Sequence, residues 1–219
     1  MKQADRTVWP QARVRGLFAG VPFFNEVMRQ DGSQFEALLA HCEVLVAGPG
    51  DTVIRQGDGD NCLYFLLRGQ LAVLAGPGGP GARVINYVSP GEVFGTLAML
   101  RQTPRSATLC VDESTREAVL ARIDFVFFSN IRDVSLFTLP TRLAFYHMLV
   151  HNIRWTLEVN RMQEPEHEVV SRLRKVSVYT GPKGTQEELE ALHAQAHQLA
   201  DLLCEWNETP ARSGAMQFT

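Results

Sequence analysis

At 219 residues, with 45% apolar and 21% charged content, the chain has the length for one medium domain with an appendage, or for two small domains. A formal net charge of −3 offers no global attraction for nucleic acid or an anionic membrane, so partners must be sought in local patterns. The opening MKQADRTVWPQARVRG holds no apolar signal-peptide core, and no stretch approaches 18 consecutive apolar residues, so a cytoplasmic chain without membrane contact is expected.

Residues 1–40 read as a helical lead-in. Phe23, Phe24, Val27 and Met28, then Phe35, Leu38 and Leu39, recur at three-to-four spacing on either side of an Asp31-Gly32-Ser33 break. From residue 41 to 128 the pattern changes to short apolar runs: CEVLVA, TVIRQ, CLYFLLRG, LAVLAG, RVINYV, EVFG, SATLCV and AVLARI. Each is too short for a helix, and Gly or Pro interrupts them at roughly eight-to-twelve-residue intervals, the punctuation of an antiparallel barrel or jelly roll. Gly48-Pro49-Gly50-Asp51, Gly57-Asp58-Gly59-Asp60-Asn61, Arg68-Gly69 and Pro90-Gly91-Glu92 mark the reversals. Cys42, Cys62, Cys110 and Cys204 form no CxxC pair and lie mostly in apolar runs, which predicts buried reduced thiols.

The stretch Val93 to Leu109, VFGTLAMLRQTPRSATL, carries the chemistry. A tight turn at Gly95 would present successive amides of Phe94-Gly95-Thr96-Leu97-Ala98 to an anion, and Arg105 behind Pro104 would add charge and a bidentate fork. This stretch resembles the phosphate-binding cassette of the cyclic-nucleotide-binding domains, the β-roll also found in catabolite activator protein. PGDTVIRQGDGDNCLYFLLRGQLAVL resembles the first half of the same family, with Gly50, Gly57 and Gly69 on its turn glycines, so the likeness runs from about Phe23 to Phe128. It implies an α+β fold: an antiparallel jelly-roll or β-roll barrel of the cyclic-nucleotide-binding type, flanked by N-terminal helices and a C-terminal helical region. In that frame Gly76 to Arg83, GPGGPGAR, is a hairpin loop of variable length.

By the same resemblance Arg105 clamps a cyclic phosphate, the Ala98 and Ser106 amides add hydrogen bonds, and Gly95 and Thr96 face the ribose, with Phe94 and Leu97 completing the cassette. The base would meet the barrel wall and the following helix, where Tyr146 or Trp155 is a candidate for stacking. One residue departs from the pattern: the family places a glutamate after the glycine to take the ribose 2′-hydroxyl, and this chain has Thr96. Three outcomes stay open, namely weaker binding of cyclic AMP or cyclic GMP, a shift to the more highly charged cyclic di-GMP, or a barrel kept as a ligand-free protein-interaction module.

Residues 129–219 turn helical. After Pro140, the positions Leu143, Tyr146, Val150, Ile153, Leu157 and Asn160 alternate at three and four residues, the spacing of a coiled-coil seam. In the resembled family a helix here caps the ligand and often forms the dimer interface, so a homodimer is expected, with packing on the chain's own barrel as the alternative. A further helix follows Pro165, another runs from about Thr185 to Asn207 behind a Thr185-to-Glu188 capping box, and the tail beyond Glu208 is expected to fray.

Two function classes are disfavoured, a transcription regulator staying as the lesser alternative. The last helix argues against a DNA-reading helix-turn-helix: from Thr185 to Pro210 there is no Lys or Arg against six acidic residues, and no glycine turn. Metal-dependent jelly-roll chemistry lacks ligands, because His41, His147, His151, His167, His193 and His197 all miss the barrel strands, and His147/His151 and His193/His197 are not HExxH motifs. The expectation is a non-enzymatic, metal-free sensor of a cyclic nucleotide that signals through its C-terminal helices to a protein partner.

Overall fold

The computed structural model describes residues 2–3, as backbone, together with 11–75 and 82–209. The GPGGPGAR loop through residue 81 and the tail from residue 210 lie outside the described residues. Two compact units part between Phe127 and Phe128.

In the first unit, helices α1 (Gln11–Ala19), α2 (Pro22–Gln30) and α3 (Gly32–His41) precede the sheets. Asp31 separates α2 from α3: extended backbone ends one helix, and its carboxylate accepts from the Ser33 and Gln34 amides to start the next. Helix α1 lies within the stretch read as a helical lead-in, although Gln11–Ala19 buries only Phe18 and so carries no apolar stripe.

Among the described residues nine strands flank these helices: β1 (Lys2–Gln3), β2 (Glu43–Ala47), β3 (Thr52–Ile54), β4 (Cys62–Arg68), β5 (Leu71–Leu74), β6 (Val84–Val88), β7 (Val93–Phe94), β8 (Thr108–Val111) and β9 (Ala118–Asp124). β2 to β9 coincide with the eight apolar runs. They form antiparallel sheets ordered β1-β2-β9-β4-β7 and β3-β8-β5-β6. Tyr64 and Leu66 on β4, Val73 on β5, Leu109 on β8 and Leu120 on β9 meet in the core of the roll.

β4 is apolar on both faces for a reason. Period-two alternation sends Tyr64 and Leu66 into the roll, while Phe65 meets Phe23 (5.9 Å between ring centroids) and Phe24 (4.8 Å) of α2. Those helices therefore shield the outer face of the five-stranded sheet. Gly69, at the β4–β5 turn, has φ +92, and a Cβ there would lie 2.8 Å from the Glu117 carbonyl oxygen. Only glycine suits the position.

The second unit contains α5 (Val126–Ser129) from its start at Phe128, α6 (Leu139–Gln163), α7 (Val169–Leu173) and α8 (Gln186–Glu208), between them the longest helices of the chain. Pro140 sits in the first turn of α6, where its missing N–H costs no hydrogen bond. Thr185 caps α8 by accepting from the Glu188 amide at 3.1 Å, and the Glu188 carboxylate reaches back to the Gly184 amide at 2.6 Å. Helix α8 then runs unbroken, and it packs along α6.

The seam residues Leu143, Tyr146, Ile153, Leu157 and Asn160 are buried within this one chain. The helix after Pro165 is the short α7, on which Val169, Val170 and Leu173 are buried. None of the four cysteines forms a disulfide; Cys42 is buried and the others are half-buried. Among the described residues no helix is long and apolar enough to cross a membrane, and no cluster of three His, Cys, Asp or Glu is placed to hold a metal.

Candidate functional site

Three segments of the first unit converge at the start of β4. β7 ends at Phe94, whose ring stacks on Tyr64 of β4 at 5.4 Å and 17°. Gly95 then turns the chain with φ +85, and Thr96 begins helix α4 (Thr96–Arg101), so the Thr96, Leu97 and Ala98 amides stand where no intrahelical acceptor precedes them. Gln102 closes the helix in the left-handed region, φ 52, and the Thr103 amide returns to the Ala98 carbonyl at 3.1 Å.

The chain then reaches Arg105, whose backbone is clamped: its amide donates to the Asp58 carbonyl and its carbonyl accepts from the Gly57 amide, both at 2.9 Å. The side chain points inward and is 4% exposed. Nη1 donates to the Gly95 carbonyl at 2.9 Å, and Nη2 donates to the Cys62 carbonyl at 2.6 Å and to the Asp60 carboxylate. The guanidinium also lies 5.5 Å from the centre of the Tyr64 ring. Its buried Nε–H has no partner among the described residues. Gly95 is favoured by this packing as well as by its dihedral, because a Cβ there would meet Arg105 Nη1.

Asp60 organises the cluster. One oxygen accepts from the Cys62 amide at 3.0 Å and from Arg105, and the other from the Tyr64 hydroxyl at 3.4 Å. Burial and the Asp60 charge push the Tyr64 phenol up to about 12 against an opposing hydrogen bond from Arg122, so the phenol keeps its proton as a donor. Burial likewise pushes the Cys62 thiol up, opposed by the Arg122 charge and reinforced by Asp60.

All seven residues singled out in the sequence, Phe94, Gly95, Thr96, Leu97, Ala98, Arg105 and Ser106, line one pocket with Ile54, Ala107 and Leu109. Thr96 is buried at 4% exposure, while Ser106 lies at the exposed rim. The pocket has a volume of about 20 Å³, the scale of a water molecule. Asp60 escaped the sequence reading because an acidic residue in Gly57-Asp58-Gly59-Asp60-Asn61 is what any tight turn would carry. Its position two residues before the strand on which Tyr64 faces inward was the available signal.

Both the sequence and the fold of this unit have counterparts among known proteins. Residues 44–130 belong to the cyclic nucleotide-binding domain family. The chain is 33% identical over 92 residues to a cGMP-dependent protein kinase of Toxoplasma gondii, covering 38% of this chain and 9% of that protein. It is 34% identical over 102 residues to the human potassium/sodium hyperpolarization-activated cyclic nucleotide-gated channel 3, covering 47% of this chain and 12% of the channel. A putative potassium channel protein of Rhodopseudomonas palustris is 30% identical over 108 residues, 49% of this chain and 25% of that one. The chain thus spans a quarter or less of these curated relatives.

A solved cyclic nucleotide-binding domain from Methylobacillus flagellatus superposes with a TM-score of 0.51 at 14% identity, over 73% of this chain and 87% of that one, a likeness of fold. The two stacking candidates for the base differ in exposure. Tyr146 is fully buried in the helical unit, where its hydroxyl donates to the Phe128 carbonyl at 3.1 Å, and Trp155 is 61% exposed.

Proposed function

We propose that this cyclic nucleotide-binding domain is a working receptor: the Thr96, Leu97 and Ala98 amides and the Arg105 guanidinium hold the phosphate of cyclic AMP or cyclic GMP, and Ser106 contributes at the rim. The observation that carries this reading is the buried Arg105, whose Nε–H is unpartnered beside the uncommitted start of α4. A buried unpaired donor on a cation is costly, and a phosphate oxygen is a chemically apt partner for it. The chain acts as a non-enzymatic cytoplasmic regulator, a homodimer whose C-terminal helices relay the ligand state to a protein partner. That relay needs a ligand which binds one arrangement better than another.

A second reading has its own support. Asp60 already neutralises Arg105, the pocket is only about 20 Å³, and Thr96 provides no carboxylate for a ribose hydroxyl, as in a roll kept for protein interaction. Cyclic di-GMP, with two phosphates, is the alternative ligand. Calorimetric titration of the full chain with cyclic AMP, cyclic GMP and cyclic di-GMP separates these readings. Saturable heat with a mononucleotide is the expected result. No heat with any of the three would replace the receptor with the interaction module, and heat with cyclic di-GMP alone would reassign the ligand.

A further inference from the structure

The segment that joins α7 to α8 carries a charge pattern that the roll does not use. Arg172-Leu173-Arg174-Lys175-Val176-Ser177 sets cations five, three and two residues ahead of a serine. Ser177 is the only serine or threonine of the sequence with cationic residues both two and three places before it. Leu173 is buried at the end of α7, and the Lys175 amide then donates to the Arg172 carbonyl at 2.9 Å and the Val176 amide to the Leu173 carbonyl at 3.2 Å, which closes the helix in a turn. From Ser177 to Thr180 the chain is neither helix nor strand.

This strap is held on both sides of the serine hydroxyl. Buried Gln195 of α8 donates from Nε2 to the Ser177 carbonyl at 2.9 Å. Two residues on, half-buried Tyr179 lies against Gly181, where a Cβ would meet its ring, and Lys183 Nζ stands 5.5 Å from the ring centre. Between these anchors Ser177 and Val178 are exposed, Val178 at 66%. Arg172 is taken by Glu205, with Glu168 nearby. Arg174 and Lys175 are exposed and make no ion pair among the described residues. An exposed hydroxyl on irregular backbone, with unpaired cations before it and an exposed apolar side chain after it, suits an enzyme whose substrate groove is lined by carboxylates.

We propose that Ser177 is a phosphorylation site for a serine/threonine kinase with an acidic substrate groove. Ser177 Oγ attacks the γ-phosphorus of ATP, the bond from that phosphorus to the β–γ bridging oxygen breaks, ADP leaves with the bonding pair, and the hydroxyl proton passes to the catalytic aspartate of the kinase. Arg174 and Lys175 meet the groove carboxylates, and Val178 enters the apolar pocket beyond them. The product places about −1.5 to −2 charges beside two cations that can then pair with it, which reshapes the strap between α7 and α8.

Radiolabelled ATP, the folded full chain and a purified kinase selective for serine three residues after arginine test this, with tandem mass spectrometry to locate the label and an acidophilic serine kinase for comparison. About one phosphoryl group per chain is expected on Ser177 from the first kinase and none there from the second. Ser177→Ala should abolish that label. Arg174→Gln and Lys175→Gln, both at exposed positions, should each lower kcat/KM about tenfold or more, as loss of one charged hydrogen bond predicts, while Ser171→Ala leaves it unchanged. Circular dichroism identical to the parent's establishes that each variant is folded. No label on the folded chain, label on Ser177 only after unfolding, label placed elsewhere, or parental rates in both glutamine variants would overturn the proposal.

Discussion

Replacing Arg105 by Gln tests the receptor reading at its centre, because one side chain serves both the empty roll and the proposed phosphate. In the empty protein the substitution removes an ion pair whose arginine side is 3% exposed and whose Asp60 side is 34% exposed. Breaking a fully buried pair costs about 3–5 kcal/mol, but Asp60 can rehydrate, and glutamine can still donate to the carbonyl of Gly95 or Cys62. A cost of about 2 kcal/mol is therefore expected, a fall of roughly 6–10 °C in the unfolding midpoint for a unit of this size.

Towards a phosphate, a charged hydrogen bond contributes about 1.5–3 kcal/mol, or roughly ten- to a hundredfold in affinity. Calorimetry with cyclic AMP and cyclic GMP at a temperature where the variant stays folded reads the second quantity separately from the first. Asp60→Asn is the complementary arm. It keeps an acceptor for the Cys62 amide and releases the guanidinium charge, so affinity should rise by a few-fold. A folded Arg105→Gln protein that binds as tightly as the parent would refute the assignment of the site.

Thr96→Glu supplies the carboxylate that the family pattern places after the glycine, and a gain of about tenfold or more in mononucleotide affinity by calorimetry is expected; no change would show that Thr96 does not face the ribose. Gly69→Ala should cost about 2 kcal/mol in denaturant unfolding, since φ is +92 and the new Cβ meets backbone 2.8 Å away, while leaving cyclic nucleotide affinity intact; a stable variant would contradict that packing. His193, held below the ordinary imidazole value of 6.5 by burial and by the neighbouring His197 charge, is neutral in the fold. The unfolded chain takes up that proton first, so stability is fully present above about pH 6.5 and falls as the pH drops below it. Thermal melts between pH 7 and pH 5 should show this decline, and His193→Gln should flatten it.

Much of the roll was legible because its signals are local. Short apolar runs such as that of β4 and glycines at positive φ are properties of a few consecutive residues, and they placed the strands β2 to β9. The cassette was legible for the same reason, since Gly95 and Arg105 lie in one short stretch. Asp60 was not, because its role depends on Arg105 arriving from 45 residues away.

The α6 stripe shows a different limit. A three-four period states that one face of a helix is apolar without naming what covers it, and in this chain α8 packs along that helix. The α1 helix, with a single buried side chain, had no stripe to read.

On the proposed reading, the Asp60–Arg105 pair would make phosphate entry an exchange of anions rather than the arrival of a counterion at a bare cation. An emptied roll is therefore left with its charge balanced and its arginine in place, ready to be refilled without first refolding around it. A site so arranged would release the proposed ligand without local unfolding, which would suit a receptor that must report a falling concentration as faithfully as a rising one.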